Sequence, residues 1–350
     1  MEGQTHPVRS AGIDLVKAAA ICFVLLLHSS TASLAAPMGS FAWWSAVFWT
    51  CAVRAAVPLF FLCSGALLLA PERALPLRRL FGRNILHILL AMMVWAVFYK
   101  VYHLLIGGDF SGAALWQACK EVLVFNQEFH LYFLHIVLLV YALLPLTRVF
   151  VRCASETELR YALILWFALG IVFPTLRSFW PFTLLTDIPL QWMLNMSWAA
   201  VGYGVLGWYL MRRLPSVRFS ALLALAGFAL IVLPTALVWL KTGAMEQRFL
   251  EGMSVGVCLL AAGLFSLLYL AGERLRTGRL RAAAERISRA SFCIFLVHAV
   301  WLDVFSRHGL TSAAFAPLVS IPLLALGNGV LSYLCWWILS KIPFVNRWLI

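Results

Sequence analysis

Charge is scarce in this chain. Only 12% of its 350 residues are Asp, Glu, Lys or Arg, while 63% are hydrophobic, too little charge to cover a soluble protein of this length. Acidic residues are rarer still, 14 against 27 basic ones. The basic surplus does not point to nucleic acid, because Lys and Arg gather in short gaps between apolar runs, as in the inner loops of membrane proteins. The eight cysteines form no CxxC pair and most lie in apolar segments, so neither a disulfide framework nor a metal site is implied. HExxH, a close carboxylate group, GxSxG and a glycine-rich phosphate loop are all lacking. No metal is expected.

What fills the chain is long hydrophobic segments, with a mean hydropathy of +0.92. At ~20 residues per crossing, the pattern predicts an all-α, polytopic membrane helix bundle of about ten spans, near 12–34, 42–70, 84–106, 131–148, 161–178, 191–211, 219–240, 252–271, 291–307 and 317–340. Trp43, Trp44, Tyr99, Trp180 and Trp198 fall near proposed ends, as interfacial aromatics do. Most basic residues, among them Arg9, Arg73, Arg78, Arg79, Arg83, Arg148, Arg152, Arg276, Arg289 and Lys341, lie on one side of this topology. That places both termini in the cytoplasm. One integral membrane domain over 1–350 is expected. The first segment is read as a retained span rather than a signal peptide, because it carries internal charges. The outer stretch AALWQACKEVLVF is weakly amphipathic and suits the membrane surface.

That first span holds Asp14, Lys17 and His28. At about 100° per residue, Lys17 and His28 differ by roughly 20° and Asp14 and His28 by roughly 40°, so the three share one stripe along about 21 Å of helix. Charged side chains in a bilayer face a cavity or partners. Alternatively, Asp14 and Lys17 sit at the interface with Lys17 snorkelling, which leaves His28 unexplained. Arg54, in WTCAVRAAVPLFFLCSGALLL, is a second buried-charge anomaly and calls for a carboxylate, phosphate or water-lined cavity, unless it too snorkels. Arg78, Arg79 and Arg83 approach the inner start of the third span, where they either hold a phosphate-bearing donor or serve topology and acidic lipid. The fourth span opens with His130, Tyr132 and His135, and the ninth holds His298 and Asp303. One such histidine is ordinarily a packing residue; several in one bundle suggest a site.

Taken together, these stretches resemble the acyltransferase-3 family of bacterial membrane acyltransferases. Among them, the chain resembles the short, single-domain type that O-acetylates surface glycans such as enterobacterial common antigen. The resemblance rests on Lys17 and His28 preceded by Arg9 and Asp14, on VPLFFLCSG (57–65), the Arg78–Arg83 cluster, HLYFLHIVLLVYALLP (130–145) and ISRASFCIFLVH (287–298). The family's basic pair usually reads RxxR, whereas Arg79 and Arg83 here stand four apart, and an appended SGNH-type esterase domain is not expected. What the resemblance implies is transfer of an acetyl group from cytoplasmic acetyl-CoA to a hydroxyl of a surface or lipid-linked glycan, in the bacterial inner membrane. His28 would be general base or transient acyl acceptor, with Lys17, Asp14 and Arg54 supporting it. Arg78, Arg79 and Arg83 would bind the acyl-CoA, and His130, Tyr132 and His298 the acceptor. Membrane lipid is a further expected partner; the oligomeric state is open. The residues alone also suit a transporter or flippase for a glycan intermediate or small solute, or a sensory or assembly protein that tolerates change at Lys17 and His28. The enzymatic reading requires His28 to face the bundle interior, with a passage toward the inner surface. A reporter fused after Ile350 is expected on the cytoplasmic side; an external signal would overturn the topology.

Overall fold

A computed structural model describes residues 9–70, 74–177, 179–244, 247–275 and 277–350. Arg73 and Arg276, counted above among the inner basic residues, lie outside the described residues. Among the described residues the chain is helical, with no strand, and nine helical stretches are long and apolar enough to cross a membrane. Helix α1 is Ala11–Ser29, α2 Phe41–Ala52, α3 Ala56–Leu68, α4 Leu86–Gly107 and α5 Gly112–Leu123. Then come α6 Tyr132–Cys153, α7 Glu156–Phe167, α8 Met196–Arg212, α9 Val217–Thr242, α10 Val255–Arg274, α11 Arg279–Arg307 and α12 Pro317–Leu339. The expected span 191–211 is α8, which has 17 residues. Its start is set by Asn195, whose side chain accepts from the Trp198 N–H.

The expected span 42–70 is interrupted. α2 ends at Ala52 and α3 begins at Ala56, with a turn over 53–55 that carries Arg54. Ahead of α4, Leu80–Ile85 forms a π-helical turn that holds Arg83 and Asn84. Such wide turns interrupt regular helices and occur often at functional sites. The amphipathic outer stretch is α5, tied to α4 by a 2.6 Å bond from Lys100 to Glu121, with Leu115, Trp116 and Leu123 exposed. The Lys100 ammonium holds the Glu121 carboxyl below its ordinary range.

Helix α1 is the axis of the bundle, packing against α3, α10, α11 and α12. Its N-terminus is capped by Ser10, which accepts from the Ile13 N–H, and the Glu273 carboxylate at the end of α10 accepts from the Ser10 hydroxyl and the Gly12 N–H, both at 2.8 Å. A carboxylate there satisfies a free N–H and meets the positive end of the helix dipole. Helix–helix contacts in lipid depend on close packing at small residues. The α3–α8 seam does this at Gly65, where an added Cβ would overlap the Gly204 carbonyl. Gly65→Ala is therefore expected to destabilise the protein by about 1–3 kcal/mol, measured as a lower melting temperature in detergent. Gly82→Ala, whose Cβ would meet open space, should not share that loss; equal melting of both would contradict this seam.

Candidate active site

The polar stripe of α1 divides into a tether, a chamber and a histidine cluster. At the base, Asp14 is buried and occupied: Arg9 donates to it through Nε at 2.5 Å and an amino group at 2.8 Å, and Ser288 of α11 donates to Oδ1 at 2.7 Å. Asp14 thus orients Arg9 and fastens α1 to α11. Lys17, one turn on, has no hydrogen-bond or ion-pair partner among the described residues and lines a cavity of about 390 Å³. A cation in an apolar bundle without a carboxylate is costly, and here it faces space.

That cavity is a chamber between α1, α3, α4, α6 and α11. Arg83, Asn84 and His87 line it from the π turn and the start of α4, Tyr141 from α6, and Arg289 from α11. Arg83 is thus brought to the chamber, whereas Arg78 and Arg79 are exposed on the preceding turn and do not line it. Ile350 also lines it, so the chain's last residue and the start of α1 share the end of the bundle carrying Arg83 and Arg289. Two arginines at one end of a cavity suit a phosphate-bearing ligand.

At its far end the chamber meets Phe133 and Phe295, whose rings touch at 5.3 Å. Phe295 also packs on His130 at 5.3 Å. Beyond this aromatic wall three imidazoles come together from three parts of the chain. The ring centroids of His28 and His298 are 5.2 Å apart, and those of His130 and His298 4.9 Å. His28 therefore faces the interior, as required. The described cavity, however, stops at the Phe133–Phe295 wall, and His28 does not line it.

The cluster has unused hydrogen-bonding capacity. His298 Nδ1 lies 2.7 Å from the Phe295 carbonyl, which can only accept, so Nδ1 carries the proton and Nε2 presents a lone pair. Among the described residues, that Nε2 is buried without a partner, as are both ring nitrogens of His130. Buried polar atoms are normally satisfied, so these nitrogens suit a visiting polar group. Asn328 of α12 donates to the His298 carbonyl at 3.0 Å and accepts from Ser332, bracing α11. His130 is further held by Tyr99, whose ring packs at 5.3 Å and whose hydroxyl donates to the Leu296 carbonyl at 2.7 Å.

Arg54 donates through Nε to the Leu250 carbonyl, from the 3-10 turn before α10. Its charge acts on His28 and Tyr132 through space. Tyr132 is about half exposed, apart from the imidazoles. Sequence alone assigns Arg289, Asn84, His87 and Tyr141 no part in a chamber; Arg289 stands out only among the inner basic residues and within the stretch 287–298. The 289, 292, 295 spacing along α11, all three lining the chamber, is the periodic signal that carries it.

A sequence model described as an acyltransferase domain matches residues 10–341. The chain belongs to the acyltransferase-3 family. The matched stretch covers the chamber's arginines and all three clustered histidines, leaving Arg9 just outside it. No curated protein and no solved structure matched the chain. The chain is thus a multi-pass membrane protein of an acyltransferase family, and its chamber and histidine cluster form the candidate site for that chemistry.

Proposed function

We propose that this acyltransferase takes an acetyl group from acetyl-CoA at the inner face of a bacterial inner membrane and passes it to a hydroxyl of a surface or lipid-linked glycan at the outer face. The observation that carries the reading is the order of groups along the bundle, taken from the end that bears Arg83 and Arg289. Arginines line the chamber mouth, an unpaired lysine follows, then the aromatic wall, then three clustered imidazoles.

In this reading Arg83 and Arg289 hold the phosphates of the donor, with Arg78 and Arg79 adding charge nearby. The pantetheine arm enters the chamber. Lys17 and His28 are eleven residues apart, about 16 Å along the helix, and a helical lysine leans toward the N-terminal end. They therefore do not meet the same carbonyl. Lys17 pairs with the donor's anionic part or polarises its amides, while the thioester reaches His28 once Phe133 and Phe295 part.

There the acceptor oxygen attacks the thioester carbonyl and its proton passes to the His28 imidazole; as the C–S bond breaks, the imidazolium returns that proton to the leaving sulfur, and CoA departs as the thiol. Arg54 supplies positive charge for the developing oxyanion. The fixed His298 Nε2 and the unsatisfied His130 orient the acceptor and share its proton. Asp14 keeps α1 and α11 in register through Arg9 and Ser288, which sets the His28–His298 spacing. A neutral channel for a small solute has no use for arginines at one end only.

Purified protein in vesicles with labelled acetyl-CoA and a glycan acceptor tests this. His28→Ala is expected to lower acetyl transfer by about 10²–10⁴-fold. Arg83→Ala with Arg289→Ala should raise KM for acetyl-CoA with kcat largely kept, as expected for lost ground-state binding. Wild-type turnover by His28→Ala would remove the mechanism, and transport of the glycan without release of CoA would favour a carrier.

A further inference from the structure

A second cavity is larger than the chamber. A groove of about 640 Å³ runs on the other side of α1, between α1, α11 and α12. Its floor is Ile21, Cys22, Leu25 and Leu26 of α1, about 40°, 140°, 80° and 180° around that helix from Lys17, and it shares no lining residue with the chamber. Ile294, Ala325 and Val330 wall it, and its one charged lining residue is Arg286.

We propose that this groove holds an acyl chain of an anionic phospholipid from the inner leaflet, with the headgroup phosphate on Arg286 and its charge shared with Arg279. Three observations select that occupant. The groove runs along α11 from Ala283 to Ile294 and along α12 from Pro322 to Leu334, about 16 and 18 Å of helix. That matches one leaflet, half of the ~30 Å hydrocarbon core. Second, Arg286 belongs to the polar start of α11 (Arg279, Arg281, Glu285, Arg286, Arg289), ahead of the apolar stretch 292–297, so the cation sits at headgroup depth. Third, the charge is at that end only: the opposite end is closed by Trp49, Leu26 and Pro322.

A lipid entering from the outer leaflet, including a lipid-linked glycan acceptor, would place its phosphate at the uncharged end. Arg279, seven residues before Arg286, falls within about 20° of it on the same helix face, about 10 Å nearer the aqueous side. Neither arginine has a hydrogen-bond or ion-pair partner among the described residues, and both are exposed. Two free cations in line with an apolar slot fit a net-negative headgroup better than a zwitterion. Because the slot's floor is α1, an ordered acyl chain there would brace the helix that carries Lys17 and His28.

Native mass spectrometry of the full chain, extracted from vesicles of phosphatidylglycerol and phosphatidylcholine in equal amounts, tests this without any acyl-transfer assay. A failed transfer reaction and a failed lipid site are therefore distinguishable. Wild type is expected to retain phosphatidylglycerol preferentially. Arg286→Gln should weaken that retention about fivefold, and Arg286→Gln with Arg279→Gln about thirtyfold. Val330→Trp, which fills the slot with both arginines intact, should abolish it; Leu326→Phe on the same exposed face serves if Val330→Trp does not fold. Equal retention of both lipids, unchanged retention in the filled-slot variant, or displacement by an added polyprenyl phosphate would overturn the proposal.

Discussion

A lysine in hydrocarbon needs a counter-charge, and the nearest carboxylate on its own helix is already taken. The Asp14 oxygens are taken by Arg9 and Ser288, which leaves Lys17, itself without an ion pair among the described residues, facing the chamber. The rest of the site follows from that division. Asp14 fixes α1 against α11, and this one tether sets the register along which Lys17 opposes Arg289 at the chamber and His28 opposes His298 further out. An ion pair between Asp14 and Lys17 would close the chamber's charge and release the helix contact together.

The fold stores this arrangement in small residues and helix ends. Gly65 lets α3 meet α8, and Glu273 receives the N-terminus of α1, so the central helix is held at its base by polar bonds and along its length by packing. Two departures from regular helix fall at the site itself. The turn over 53–55 frees Arg54 to reach the Leu250 carbonyl, and the π turn at Leu80–Ile85 brings Arg83 to the chamber.

The all-helical membrane architecture was legible because apolar run length carries it, and the α1 stripe because helical period carries that. Even the break in the second span had a trace, in an arginine four residues before Pro58. The grouping of His28, His130 and His298 was not readable in the same way. Each histidine stood out in its own apolar run, but contacts between residues more than a hundred positions apart leave no mark on local periodicity. The pairing of Asp14 with Ser288 was hidden for the same reason, and so was the part of Arg289. The basic run that contains Arg289 looks alike whether its members face water or a cavity. Nor does a helical wheel separate Arg79 from Arg83, four residues apart and within about 40°; only the packing shows that Arg83 lines the chamber and Arg79 does not.

The account rests on the donor occupying the chamber with its thiol end toward the aromatic wall. An experimental structure of the protein in vesicle-derived nanodiscs with CoA bound tests this most directly. The account predicts phosphates against Arg83 and Arg289, the pantetheine arm past Lys17, and sulfur against Phe133 and Phe295. CoA bound elsewhere, or a chamber filled by lipid with CoA present at saturation, would contradict it.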